Sequence, residues 1–201
     1  MGERLLFLND VLCFTTINPH TNMTLLKKLL WVFPLLLIAC IKVPEGVTVV
    51  EDFELERYLG TWHEIARIDN SFEKGMVSVQ ATYSLDEEGK VRVLNRGYDQ
   101  AEGTWREAKG MVKFVDTPDR GELKVSFFGP FYSSYNIIAL DREEYTWAIV
   151  CGYKPSLFWI LSKNEVMDEA LYTDLVAKAT AMGFDTSALI RNLPASSLPQ
   201  P

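Results

Sequence analysis

The segment Val77-Ser78-Val79-Gln80-Ala81-Thr82-Tyr83-Ser84 alternates apolar and polar side chains along its whole length. A period of two puts one set of side chains on each face of an extended chain, so one face is buried and the other is wet. Lys90-Val91-Arg92-Val93-Leu94-Asn95-Arg96 continues the pattern. The intervening Asp86-Glu87-Glu88-Gly89 is a short hairpin loop with glycine at its end. Working outward, similar strands are expected from Thr61 to Ile68 and at 104–115, 121–128, 134–141, 145–151 and 157–161. Eight short strands with brief Gly-, Asp- or Pro-bearing connections predict an all-β domain, either an up-and-down barrel or a sandwich. Eight antiparallel strands can close without leaving edges, and the interior then holds side chains or one small ligand.

The period changes after Ser162. Leu171, Leu175, Ala179 and Met182 fall on one face of a helix, with Ser162 or Asn164 as its expected cap and Gly183 as its stop. A lone C-terminal α-helix after eight strands is expected to pack on the outside of the barrel. Residues 192–201, with three prolines and two serines, are expected to lack fixed structure.

Composition bounds the function. The 201 residues are 48% hydrophobic, too apolar for a disordered chain, and they suit one domain with a sizeable core. A formal charge of −7, with no basic run longer than Lys27-Lys28, argues against nucleic acid, which needs clustered cations. Catalysis is not expected. His63 is the sole histidine beyond the N-terminal segment, stands on the outward parity of its strand, and has no recognisable nucleophile beside it. One histidine and one downstream cysteine do not make a metal site, and neither a lipase elbow nor a phosphate-binding glycine loop is present. No cofactor is expected.

The N-terminus reads as an address. Residues 23–40, MTLLKKLLWVFPLLLIAC, combine a start methionine, two lysines and an apolar run too short to span a bilayer. This is a secretory signal over 23–39, with 1–22 an upstream extension or mis-assigned start. Leu37-Ile38-Ala39-Cys40 resembles the bacterial lipobox, which implies acylation of Cys40 and a short tether over 40–47. Ile rather than Asp at position 41 favours, by the same resemblance, the outer membrane, with the protein lipid-anchored and facing the periplasm. Cys151, in the apolar run Trp147 to Cys151, is expected to be a buried structural thiol.

Arg57-Tyr58-Leu59-Gly60-Thr61-Trp62-His63-Glu64-Ile65-Ala66-Arg67 resembles the first lipocalin motif, G-x-W, placed at the first strand. Ala81 to Leu85 is similar to the second strand of bacterial lipocalins and of the apolipoprotein D type. Val125 to Phe131 and Tyr135 to Asp141 also resemble bacterial outer-membrane lipocalins, and Trp159-Ile160-Leu161-Ser162-Lys163 resembles the third motif. The likeness covers about residues 45–191 and implies an eight-stranded lipocalin barrel over 48–191. It further implies that Lys163, where the family usually has Arg, lies across Trp62 and closes one end, keeping the cation–π attraction but losing a flat stacked contact.

Strand parity turns Trp62, Glu64 and Ala66 inward, with Val79, Ala81, Tyr83, Val91, Val93 and Asn95 on the next two strands. Leu123, Val125, Phe127, Tyr135, Ile137, Ala139, Trp159 and Leu161 complete the ring. Ligand contacts of the apolipoprotein D type map onto Tyr83, Asn95, Phe127, Tyr135 and Trp159, all on that parity. Aromatic walls with sparse polar groups are the make-up of a small-molecule site. The expected ligand is a fatty acid or lysophospholipid, held for storage or transport in outer-membrane maintenance. A scaffold lipoprotein with a filled barrel and a carrier of another flat hydrophobe are the alternatives, and oligomeric state, a homodimer included, stays open.

Overall fold

A computed structural model describes residues 41–198; the signal segment, Cys40 and residues 199–201 lie outside the described residues. Strands β1 (Gly60–Ile68), β2 (Met76–Leu85), β3 (Val91–Asp99), β4 (Thr104–Phe114), β5 (Glu122–Phe128), β6 (Phe131–Leu140), β7 (Trp147–Cys151) and β8 (Phe158–Ser162) are sequential antiparallel neighbours. β1 closes the ring. Its first half pairs with β2, from Gly60↔Tyr83 to His63↔Gln80, and its second half with β8, from His63↔Ser162 to Arg67↔Trp159. Of the two architectures open to the sequence, the chain adopts the barrel. A ninth strand was not expected: β9 (Leu189–Arg191) pairs with Ala66–Ile68, where β2 has parted from β1. Three residues are too few to show a period.

β7 starts at Trp147, two residues later than the alternation suggested. Tyr145, at φ +56°, belongs instead to the preceding turn. There the Asp141 carboxylate accepts hydrogen bonds from the backbone N–H of Glu143, Glu144 and Thr146.

β-Bulges reset the faces. The register shifts on β1 between Glu64 and Ala66 and on β6 between Ile137 and Ala139. An extra residue in one strand flips everything beyond it. Ile65-Ala66 and Ile138-Ala139 therefore all point outward, so the inward parity expected of Ala66 and Ala139 is corrected. These four join Ile149, Cys151, Phe158 and Ile160 in an outer core. Trp62, Tyr83, Val93, Leu123, Ile137 and Leu161 fill the inner one. Burial raises the Cys151 thiol to about 12, so it stays protonated.

The outer core is covered by the C-terminal helix (Glu169–Ala181), which buries Leu175 and Ala179. Its cap is Asp168, not Ser162 or Asn164: the Asp168 carboxylate accepts from Ala170 N and Leu171 N at 2.9 and 3.1 Å. At the other end Gly183 takes φ +88°, with Gly183 N donating to Thr180 O and Phe184 N to Ala179 O, a Schellman stop. That reversal leaves Met182 37% exposed and Phe184 only 5% exposed, its ring centroid 4.6 Å from that of Phe158 in a tilted contact. Met182 is thus not a core residue.

Both termini of the domain are held more firmly than expected. The segment Asn192–Leu198, expected to lack structure, is tied to the wall: Asn192 N donates to Ile65 O, Ser78 Oγ to Leu193 O, and Ser196 N to Glu165. The tether is tied too, because Lys42 N donates to Ser134 Oγ at 2.7 Å and Asn136 Nδ2 donates to Lys42 O at 3.2 Å.

Phe184→Ala should lower stability by about 3 kcal/mol through an unfilled cavity. Met182→Ala should change it by less than about 0.5 kcal/mol. Urea denaturation of the two variants checks the pair.

Candidate functional site

Alternating connections give the barrel two unlike ends. At one, Gly60-Thr61-Trp62 enters β1 just after a short helix, α1 (Leu55–Tyr58). Trp62 is fully buried, and its Nε1 donates to Tyr58 O at 2.7 Å. The Tyr58 ring stacks on it at 4.5 Å. Lys163 Nζ stands 4.6 Å from the Trp62 ring centroid and donates to Tyr58 O at 3.2 Å and to Leu59 O. Gly60 sits at φ +99°, and a Cβ there would lie 3.3 Å from Lys163 Nζ, so this position favours glycine on both counts. Trp62 and Lys163 are therefore together at the closed end. The ammonium keeps the ring contact and uses its protons on the carbonyl of Tyr58, which ends α1, and on that of Leu59 just beyond it, both left unbonded by the helix itself.

Four of the five expected ligand contacts converge on the inner core above this seal. Tyr83 is buried, and Tyr135, Phe127 and Trp159 pack against the same cluster. Asn95 pairs across the sheet with Ala81, which also packs on that cluster, and so shares its face. Its Oδ1 is buried without a hydrogen-bond partner. Tyr58, which precedes the first strand and so escaped the parity reading, completes the lining: its hydroxyl lies 2.7 Å from that of Tyr135. Burial pushes the phenols of Tyr58, Tyr83 and Tyr135 well above their ordinary value, so all three remain hydrogen-bond donors.

A polar network that alternation alone did not reveal lies near the open end. Glu64 pairs with Leu161 and Arg67 with Trp159, so both carry their side chains on the inner face. Arg67 Nη1 donates to Glu64 Oε1 at 2.6 Å, and its Nη2 to the carbonyls of Glu73 and Met76 at 3.1 and 3.0 Å. Trp159 Nε1 donates to Glu73 Oε2 at 2.9 Å. The β1–β2 loop is thereby pinned beside the lining. The signal for Arg67 was its place one residue past an apolar pair. His63 is half-buried on the outer face near Leu193–Ala195, and burial lowers its pKa while Glu165 opposes the shift.

The lining is graded. Trp62 and Ile137 are wholly buried, whereas Ala81, Asn95, Val125, Tyr135 and Trp159, on the same inner face, are reached by solvent. The wall is also uneven, because the β4–β5 ladder ends at Met111↔Ser126 while β4 extends back to Thr104. An outer groove of about 570 Å³ opens beside that gap, lined among others by Arg92, Leu94, Lys109, Met111 and Tyr132, with Gly110 and Phe127 at its floor.

Residues 53–194 match the family model described as a lipocalin-like domain. The chain belongs to the lipocalins. It is 48% identical to the outer membrane lipoprotein Blc of Escherichia coli over 157 residues, 77% of this chain and 88% of that one. The Blc lipoprotein of Vibrio cholerae is 45% identical over 77% of this chain and 91% of its own. Mouse apolipoprotein D is 35% identical over 68% and 75%. Among solved structures, insecticyanin from the tobacco hornworm superposes with a TM-score of 0.61 at 27% identity, covering 77% of this lipocalin and 87% of that chain. The expected architecture stands, and the family is one of binding proteins. Relatives described as outer membrane lipoproteins, at this identity, support the same lipid-anchored address in the outer membrane.

Glu64 gives the site a pH signature. Burial, reinforced by the nearby Glu73 charge and opposed by Arg67, raises its pKa well above the carboxylate range. The folded chain then binds more protons than the unfolded one between the two values. The associated stability is fully present below the ordinary carboxylate pKa and is lost as the pH rises through the raised one. Glu64→Gln keeps an acceptor for Arg67 and should flatten this slope, gaining most at the alkaline end where the Glu64 carboxylate is charged. Denaturation midpoints across the pH range measure it.

Proposed function

We propose that this lipocalin binds a single-chain lipid, a fatty acid or lysophospholipid, in its barrel and holds it at the outer membrane through an acylated Cys40. The observation that carries the reading is the graded inner face: side chains that point into a closed wall yet remain solvent-reached front an opening. Tyr83, Phe127, Tyr135 and Trp159 pack on the same inner cluster and would wall the path of a tail entering there.

Magnitudes favour an alkyl tail. Burying about fourteen methylenes contributes about 11 kcal/mol at about 0.8 kcal/mol each. Immobilising a flexible chain offsets several kcal/mol of this, which leaves about micromolar affinity. Polar recognition is sparse and placed accordingly. The unpartnered Asn95 Oδ1 suits a hydroxyl of a glycerol or a protonated carboxyl, and the phenols supply donors. A lipobox upstream of such a barrel joins binding to a membrane address, which fits storage or transport of lipids during outer-membrane maintenance. Three acyl chains on Cys40 would make release negligible.

Native mass spectrometry of the protein extracted from membranes should show a co-purified single-chain lipid. A filled barrel with no lipid would favour a scaffold, and a coloured flat molecule a different carrier. Phe127→Glu and Trp159→Glu should each weaken fluorescent fatty-acid binding by at least about tenfold, by placing a charge in the lining. Unchanged binding in both variants would remove these residues from the site.

A further inference from the structure

The hairpin joining β5 to β6 breaks the usual rule for a barrel rim. Its tip is Phe128-Gly129-Pro130-Phe131, and the two phenylalanines are 57% and 43% exposed. Just behind it on the outer face, Lys113 and Lys124 stand 5.4 and 5.7 Å from the Tyr132 ring. In a chain of net charge −7 this puts a cationic pair on the outer wall, paired across β4 and β5, below an exposed aromatic tip. Aromatic tips with flanking lysines match the two layers of a membrane surface, apolar boundary and anionic head groups.

The tether says which surface. Lys42 is bonded through its backbone N–H and carbonyl to Ser134 and Asn136 of β6, the same strand that begins at Phe131. Cys40 is two residues upstream, within about 7 Å of chain, and Ser134 is about 10 Å along the strand from the hairpin tip. The start of the described chain is therefore fixed on the outer wall, on the strand that leads from this hairpin. The gap where β4 outruns β5 adjoins the same hairpin.

We propose that the β5–β6 hairpin docks into the bilayer that holds Cys40: Phe128 and Phe131 enter the interfacial layer, Lys113 and Lys124 lie against anionic head groups, and the β4–β5 opening faces the lipid. The placement rests on the reading of Cys40 as the anchor. A barrel held this way exchanges an acyl chain with the membrane without carrying it through water.

The test uses the full acylated chain reconstituted in vesicles of phosphatidylethanolamine and phosphatidylglycerol. A nitroxide at Phe131→Cys is compared with one at Leu85→Cys, an exposed position at the opposite end of the barrel; the native Cys151 is buried and protonated. The label at 131 should collide more with oxygen than with a water-soluble nickel complex, and the label at 85 the reverse. Two equally water-exposed labels overturn the proposal. In the doubly substituted F128E/F131E protein, the acyl anchor should still hold the vesicle and equilibrium fatty-acid binding should be unchanged. Transfer from vesicle to barrel should slow by about tenfold, and an unchanged rate also overturns docking. Mass spectrometry of the mature N-terminus reads the anchor separately. A Cys40 without acyl groups sinks the anchor reading and, with it, the hairpin placement reckoned from that residue.

Discussion

Strand β1 serves two partners and two cores, and the rest of the molecule depends on its doing so. Its residues from Gly60 to His63 must bond to β2 and those from His63 to Arg67 to β8 for the barrel to close. A strictly alternating strand would then put Ala66 inside and Arg67 beneath the helix. One extra residue at Ile65 reverses this, giving the helix two small apolar neighbours and the barrel mouth a guanidinium. β6 repeats the device at Ile138. A single sheet can thus pack on one side against aromatic rings and on the other against the helix stripe.

Much of this was readable from alternation and spacing because most strands keep their period between bulges. The β2–β3 hairpin and the inward set Tyr83, Val91, Val93 and Asn95 follow directly from the pleat. What failed was parity beyond the inserted residues, since a one-residue insertion changes no composition. Its trace is a doubled apolar pair, Ile65-Ala66 and Ile138-Ala139, and such a pair reads equally well as an ordinary buried run. Tyr58 escaped because it lies on a four-residue helix with no strand parity, and β9 because three residues carry no period. The cap Asp168 was a matter of choosing among several polar residues before one apolar stripe, which only the bonded N–H groups decide.

The charged groups inside the barrel are held together by a shared set of hydrogen bonds, with Arg67 Nε left 3.8 Å from Glu73 Oε2 and without a hydrogen-bond partner. Arg67 donates to a carboxylate and two loop carbonyls, and Asn192 donates to the same Glu64 oxygen at 3.1 Å. Removing Arg67 would leave several of these buried acceptors without a donor, so this network resists rearrangement. It also ties the β1–β2 loop to Trp159 through Glu73. A lining residue and the rim of the mouth are thus bonded to each other directly.

The two ends of the barrel differ for a reason that reaches back to their residues. At the closed end every polar group has a local use: the Trp62 indole and the Lys163 ammonium both bond to carbonyls of α1, and Tyr58 fills the space between Trp62 and Tyr83. Toward the mouth the balance shifts, with an orphan amide oxygen on Asn95 and hydroxyls shared among tyrosines. The amphiphile proposed as ligand would meet these demands with its tail toward the aromatic inner wall and its polar group toward the rim. A sealed floor and a rim beside the tether favour the same polarity, so the direction of entry that the proposal requires follows from which end of β1 carries the tryptophan.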